Sequence, residues 1–183
     1  MAEEVVIGKD ALIRKFRRMS EVSQGMTLAR TVQVGAMTIA NAAKTNIKDQ
    51  GLIRTRALSR SIHVEISMQS SAVAIAEVGT NLEYAAIHEF GGTVKAKTAK
   101  YLAIPVGNYR GSPRKHPGLK LRKTAGGNLI MVDGSGRVQY VLKTSVTVPA
   151  QPYIRPAFDE HKQDAIDDMG KAFKSLIMKA AET

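Results

Sequence analysis

The stretch Tyr84-Ala85-Ala86-Ile87-His88-Glu89-Phe90-Gly91-Gly92 holds a histidine, a carboxylate and two glycines within nine positions. A zinc-hydrolase helix needs a second histidine four residues after the first, so that both rings face one metal. Position 92 is Gly, and the other histidines, at 63, 116 and 161, show no ligand spacing. On a helical turn Tyr84, Ile87 and His88 share a side, which reads as a packed or hydrogen-bonded histidine. Glu89 is then available to pair with a basic residue on a neighbouring chain, and the glycine pair suits a turn that needs positive φ. Other catalytic arrangements are missing. The chain has no cysteine and no GxSxG elbow. The glycine-rich pieces TAGGN and DGSGR lack the GxxxxGK[ST] pattern that cradles phosphates. No enzyme is expected, and no cofactor or metal.

Charge is the stronger signal. The net charge is +11, and it is unevenly placed. Between Phe90 and Phe158 there are twelve Lys or Arg against Asp133 alone, while the rest of the chain balances fifteen bases with fifteen acids. The whole excess lies in one segment, which points to a local surface facing a polyanion or an acidic partner. Within it, NYRGSPRKHPGLKLRKTAGG (108–127) is rich in Gly, Pro, Lys and Arg, with almost nothing to bury. It is expected to be a long flexible loop. Arg110, Arg114, Lys115, Lys120, Arg122 and Lys123 are its candidates for contact with DNA phosphates or with an acidic protein. Only Tyr101 and Tyr109 are near enough for base stacking, so the expected contact is electrostatic and non-specific.

The elements that must position these residues follow from hydrophobic periodicity. Residues 9–19 read as a short helix with Leu12, Ile13, Phe16 and Met19 on one face. A longer helix runs from about Thr27 to Asp49, where Leu28, Val32, Ala36, Ile39, Ala43 and Ile47 recur every three or four residues. Its many small side chains would let another element, or another subunit, approach closely. GLIRTRALSRSI (51–62) reads as basic and irregular. HVEISM and AVAIAEV alternate apolar and polar residues and form a hairpin. YAAIHEF is a helical turn, and further strands are expected at TVKA, YLAIPV, NLIMVD and VQYVLKTSVTV. A last helix begins near Pro156, with Ile166, Met169, Phe173, Leu176 and Ala180 as its apolar stripe. The expected fold is α+β in a single domain over 1–183: N-terminal helices, a central antiparallel β-sheet with the basic loop, and a C-terminal helix. No stretch approaches the roughly 18 apolar residues of a membrane span.

In VPAQPYIRPAF (148–158), three prolines stiffen the approach to the last helix and hold Arg155 just before it, a fixed cation aimed at another element. The order of pieces is telling: a long helix, Leu58-Ser61-Ile62 opening a hairpin, Tyr84-Ala85 with Glu89-Phe90-Gly91, then Pro149-Ala150-x-Pro152-Tyr153-x-Arg155-Pro156-Ala157. This order resembles the tail-completion or neck proteins of long-tailed bacteriophages, also called virion morphogenesis or minor tail proteins. One departure is that many relatives have Thr-Gly where this chain has Thr55-Arg56. The resemblance implies a structural virion protein, assembled in the host cytoplasm, that forms a ring, typically six-fold, at the head–tail junction beside the DNA channel. It would bridge the head-completion or connector protein to the tail terminator or tail tube protein. A ring needs two different faces on each protomer. The candidates are the small-residue helix around Ala36 and the corner of Tyr84, His88, Glu89 and Phe90, with Arg155 as a further interface cation. The alternative reading is a non-specific nucleic-acid-binding protein acting through residues 95–123.

Overall fold

Small side chains at Gly35, Ala36, Ala40 and Ala43 allow helix α2 (Met26–Asp49) to lie close against helix α5 (Ile154–Glu182), and that pair organises the chain. The computed structural model describes residues 9–22, 24–52 and 55–182. The opening residues 1–8 and Ile53-Arg54, both covered by the expectations above, lie outside the described residues, as does the side chain of Ala180. The helices run antiparallel, with the start of α2 beside the later part of α5. Thr38 Oγ1 donates to Asp168 at 3.0 Å, and Asn46 Nδ2 donates to the Tyr153 carbonyl at 3.1 Å. At Gly35 the approach is tightest: a Cβ there would stand 2.7 Å from the Met169 side chain and 3.0 Å from the Ala165 carbonyl. The small-residue face of α2 is thus taken up by an element of its own chain.

This first unit comprises the residues up to Glu89 and those from Gln151 onward. It contains α1 (Lys9–Val22), α2, the short helix α3 (Ala57–Ser61), the hairpin β1 (His63–Ser70) and β2 (Val73–Gly79), α4 (Ala85–Phe90, whose last residue falls in the second unit) and α5. The hairpin register sets Val64 opposite Val78 and Ile66 opposite Ala76, and Val64 and Val78 pack on the core. That core gathers Ile39, Ala40, Ala43 and Ile47 of α2 with Leu58, Ile62, Ala85, Tyr153, Ala157 and Ala165.

The second unit, Phe90–Ala150, is built from strands. β3 (Gly92–Lys95) pairs with β8 (Ser145–Val148), and β4 (Leu102–Pro105), β7 (Val138–Lys143), β6 (Leu129–Val132) and β5 (Lys120–Lys123) form an antiparallel sheet in that spatial order. Helices at both ends of the chain and antiparallel sheets between them give the α+β fold read from the sequence.

Four details differ from expectation. Ala57–Ser61 is helical, not irregular, because Leu58 turns inward to the core at 5% exposure. VQYVLKTSVTV is two strands with different partners, divided at Thr144. Ile166 is 53% exposed and not part of the buried stripe of α5. The antiparallel contact with α2 selects Ala157 and Ala165, and one residue further along, about 100° round the helix, lies off that contact. Finally, the 108–127 stretch expected as a loop contains a 3-10 turn at Pro113–Lys115 and the strand β5, which pairs through Lys120–Lys123 with β6.

Candidate functional site

Pro152 and Pro156 bracket the start of α5, and the carboxylate of Glu89 closes it. Glu89 is 8% exposed. Its Oε2 accepts from the backbone N–H of Tyr153 at 2.7 Å and of Ile154 at 3.0 Å, and its Oε1 accepts from Arg155 at 2.9 Å. The next residue, Pro156, has no N–H. All the first-turn donors that a helix leaves without partners are therefore satisfied by one side chain 64 to 66 residues away, and a negative charge sits at the positive end of the helix. Around it, the Gln151 N–H donates to the His88 carbonyl at 2.7 Å, and Gln50 Nε2 donates to the Pro152 carbonyl at 2.7 Å. Burial, with the Glu89 charge beside it, pushes the Tyr153 hydroxyl up to about 12, so it stays protonated.

Within the chain, therefore, Glu89 spends both of its oxygens on the start of α5. Ala36, expected on a subunit face, is 8% exposed on the α5 side of α2. Of the other corner residues, Tyr84 is 44% and Phe90 74% exposed, and the Arg155 side chain is exposed. His88 meets the Tyr84 ring edge-on at 6.0 Å, and its buried Nδ1 has no hydrogen-bond partner among the described residues. The glycine pair behaves as its composition requires. Gly91 has φ +68, and a Cβ there would stand 2.7 Å from the Ala150 nitrogen, in a space only glycine fits.

The basic residues fall in the second unit, where eleven Lys or Arg stand against Asp133 for a net +10. Arg110, Arg114, Lys115, Lys120, Arg122 and Lys123 are all exposed. Two groups emerge. Arg110, Arg114 and Lys115 lie before and on the 3-10 turn, which Ser112 caps; Arg110 Nη1 also donates to the Gly107 carbonyl at 2.6 Å. Lys120, Arg122 and Lys123 lie on β5, the outer strand of its sheet. Alternation puts Lys120 and Arg122 on one side of that strand and Lys123 on the other. Cations on an outer strand also deter another strand from adding to it.

Sequence reasoning missed Gln139, which anchors this basic segment. It is 4% exposed. Its Oε1 accepts from the Asn108 N–H at 3.0 Å, its carbonyl accepts from Val106 at 3.0 Å, and its Nε2 donates to Asp133 at 2.7 Å. Asp133 in turn accepts from the N–H of Ser135 and of Arg137 and from the Ser135 hydroxyl. That hydroxyl bond, with the Gln139 amide and the two N–H groups, holds the Asp133 carboxyl down at about 2. The Asp-Gly-Ser-Gly turn signal marks Asp133 in the sequence. Nothing local marks Gln139, whose partners lie about 30 residues back.

No curated protein and no solved structure is a significant match to the chain. Residues 10–91, which run from α1 to the glycine pair, match the HK97-gp10-like family model, described as "Bacteriophage HK97-gp10, putative tail-component". Over that stretch, rather less than half of the chain, the protein is similar to that family of phage tail components, in line with the resemblance read from the sequence.

Proposed function

We propose that the protein is a structural virion component that forms a ring at the head–tail junction, completes the tail and joins it to the head connector around the DNA channel. The observation that carries this reading is the separation of charge. The residues that match a tail-component family lie almost entirely in a unit whose charge nearly cancels, with sixteen bases against fifteen acids, while Phe90–Ala150 carries +10. Repeating such a unit around a ring multiplies a local +10 into a basic collar. A collar of that kind suits packaged DNA, or the acidic surface of a connector, tail-terminator or tail-tube protein. The six exposed cations are its contact residues, and Tyr84, Phe90 and Arg155 are exposed corner residues available to subunits or partners.

The test is the mass of the purified protein by light scattering, at low and high salt, with and without short duplex DNA. A discrete oligomer near six protomers that is indifferent to DNA supports the ring, with the basic unit as a protein-docking collar. A monomer that binds duplex with a steep salt dependence supports instead a nucleic-acid-binding protein acting through residues 95–123. Six phosphate contacts would give a slope of about −5 in log K against log salt. Reversing Lys120, Arg122 and Lys123 to Glu would flatten that slope by about 3.

A further inference from the structure

Two unpartnered apolar surfaces of the first unit match each other. The first is on α1. Although α1 packs against α5, Leu12, Ile13 and Phe16 remain 54%, 46% and 60% exposed. They occupy positions i, i+1 and i+4, so they form one apolar stripe that the described residues leave exposed. The second is an open groove of about 430 Å³ between α2, β2 and α5, lined by Val32, Ala36, Val78, Phe158, Ile166 and Met169 among others. Phe158 and Ile166 stand in it 55% and 53% exposed.

We propose that the α1 stripe of one copy seats in the α2–β2–α5 groove of a second copy. This rests on the ring reading above and assigns it a joint. Length fits: Leu12 to Met19 spans about 11 Å of helix, and Phe158 to Met169 about 17 Å. Charge also fits. From Leu12 onward α1 carries Arg14, Lys15, Arg17 and Arg18 against Glu21, a net +3. From Asp159 to Asp168, α5 carries Asp159, Glu160, Asp164, Asp167 and Asp168 against Lys162, a net −4. Lys162 in the groove wall is the one base in that stretch. The stripe and the groove are different surfaces of the same protomer, so each copy offers one and receives the other. Repeated head to tail, such a contact builds a ring or a filament, whereas reciprocal exchange between two copies would close a two-fold dimer. α1 need not leave its own α5, because the apolar stripe is already exposed.

The native chain has no cysteine, so single cysteines report the contact directly. Phe16→Cys and Ile166→Cys variants are mixed under mild oxidation. The expected result is a covalent pair in the mixture, at least tenfold above either variant alone. Phe16→Glu and Ile166→Glu should each reduce the assembled mass to that of a monomer while leaving the helical circular dichroism unchanged. If the chain is oligomeric yet the mixture gives no more linked pair than the separate variants, other surfaces build the ring: the inference fails and the ring reading survives. If it is monomeric at all concentrations and unlinked, the inference fails and the ring reading loses its support in solution. A Phe16→Cys/Ile166→Cys double variant that closes within one chain would show the groove filled by its own α1, and would also overturn the proposal.

Discussion

The two units of this protein solve the problem of a stable fold in opposite ways. In the first, helices bury Ile39, Ala43, Ile47, Tyr153 and Ala157 in a continuous core, and charge nearly cancels. In the second, Val132 and Tyr140 are the buried apolar residues, and strands carrying a net +10 are tied by polar anchors. Hydrophobic burial tolerates variation in detail, whereas a small strand unit under its own charge repulsion depends on a few fully satisfied hydrogen bonds. Each unit nevertheless has one buried polar side chain that fixes a distant segment: Glu89 for the start of α5, and Gln139 for the start of the basic segment. Substituting them tests whether the two anchors are equivalent.

The largest effect is expected at Glu89. Glu89→Ala leaves three backbone donors unpaired near a buried site and removes a charge from the positive end of α5, so it should cost about 3 kcal/mol or more. Glu89→Gln keeps one good acceptor and should cost roughly half as much. Urea unfolding followed by far-ultraviolet circular dichroism measures both, and an unchanged midpoint for the alanine variant would refute the capping role. Such a variant would also lose assembly, but through its fold, so Glu89 cannot serve to probe a subunit face.

Gln139→Ala should follow, at about 2 kcal/mol, from the loss of partners for Asn108 N–H and Asp133. Hydrogen exchange distinguishes the two anchors. Amides at 106–109 should lose protection while those of α2 keep theirs. Uniform loss across both units would mean that the anchors serve a single cooperative structure and that the contrast drawn between the units is wrong.

These anchors also show where the sequence stops being legible. The long helices and the β1–β2 hairpin could be read because burial on one face leaves a period of 3.6 or 2 in the sequence. β5, Lys-Leu-Arg-Lys, could not, because an outer strand with all four side chains exposed carries no apolar alternation. α3 is too short for a helical period to emerge. The register of α5 was misjudged at Ile166, because which face of a helix is buried depends on its partner and not on its own composition. The capping role of Glu89 is likewise not legible in the sequence. Its glycine neighbours announced a corner, but a cap supplied from 64 residues away has no local signature.

A smaller effect is expected from pH. The Asp133 carboxyl is held at about 2, below its ordinary 3.8. A group with a depressed folded pKa stabilises the fold above its unfolded value and loses that contribution as pH falls through the folded one. The turn joining β6 to β7 should therefore stay intact from neutral pH to about 4 and loosen between there and 2. Amide chemical shifts of Ser135 and Arg137 should report this midpoint near 2, and Asp133→Asn should abolish the step. A midpoint near 4 would mean that the hydrogen bonds seen here do not favour the ionised form. The first unit has a counterpart in Asp168, whose carboxyl is also held below its ordinary value, by the Thr38 hydroxyl and by Lys171.

The smallest effect lies back in the first unit, at Arg56, the one described non-glycine residue with positive φ, at +60. It is the residue just before α3. A side chain there costs about 1 to 2 kcal/mol through contact of its Cβ with the following carbonyl. Glycine removes that contact but gives back about 0.5 to 1 kcal/mol in greater freedom of the unfolded chain. Arg56→Gly should therefore raise stability by about 0.5 to 1 kcal/mol, a shift of a few degrees in Tm by calorimetry. Arg56→Ala separates the causes, because it keeps the Cβ and removes the charge. If alanine stabilises as much as glycine, the cost lies in the guanidinium and not in the backbone. If only glycine stabilises, this unit's tolerance of detail extends to a strained turn, which its apolar core is strong enough to hold.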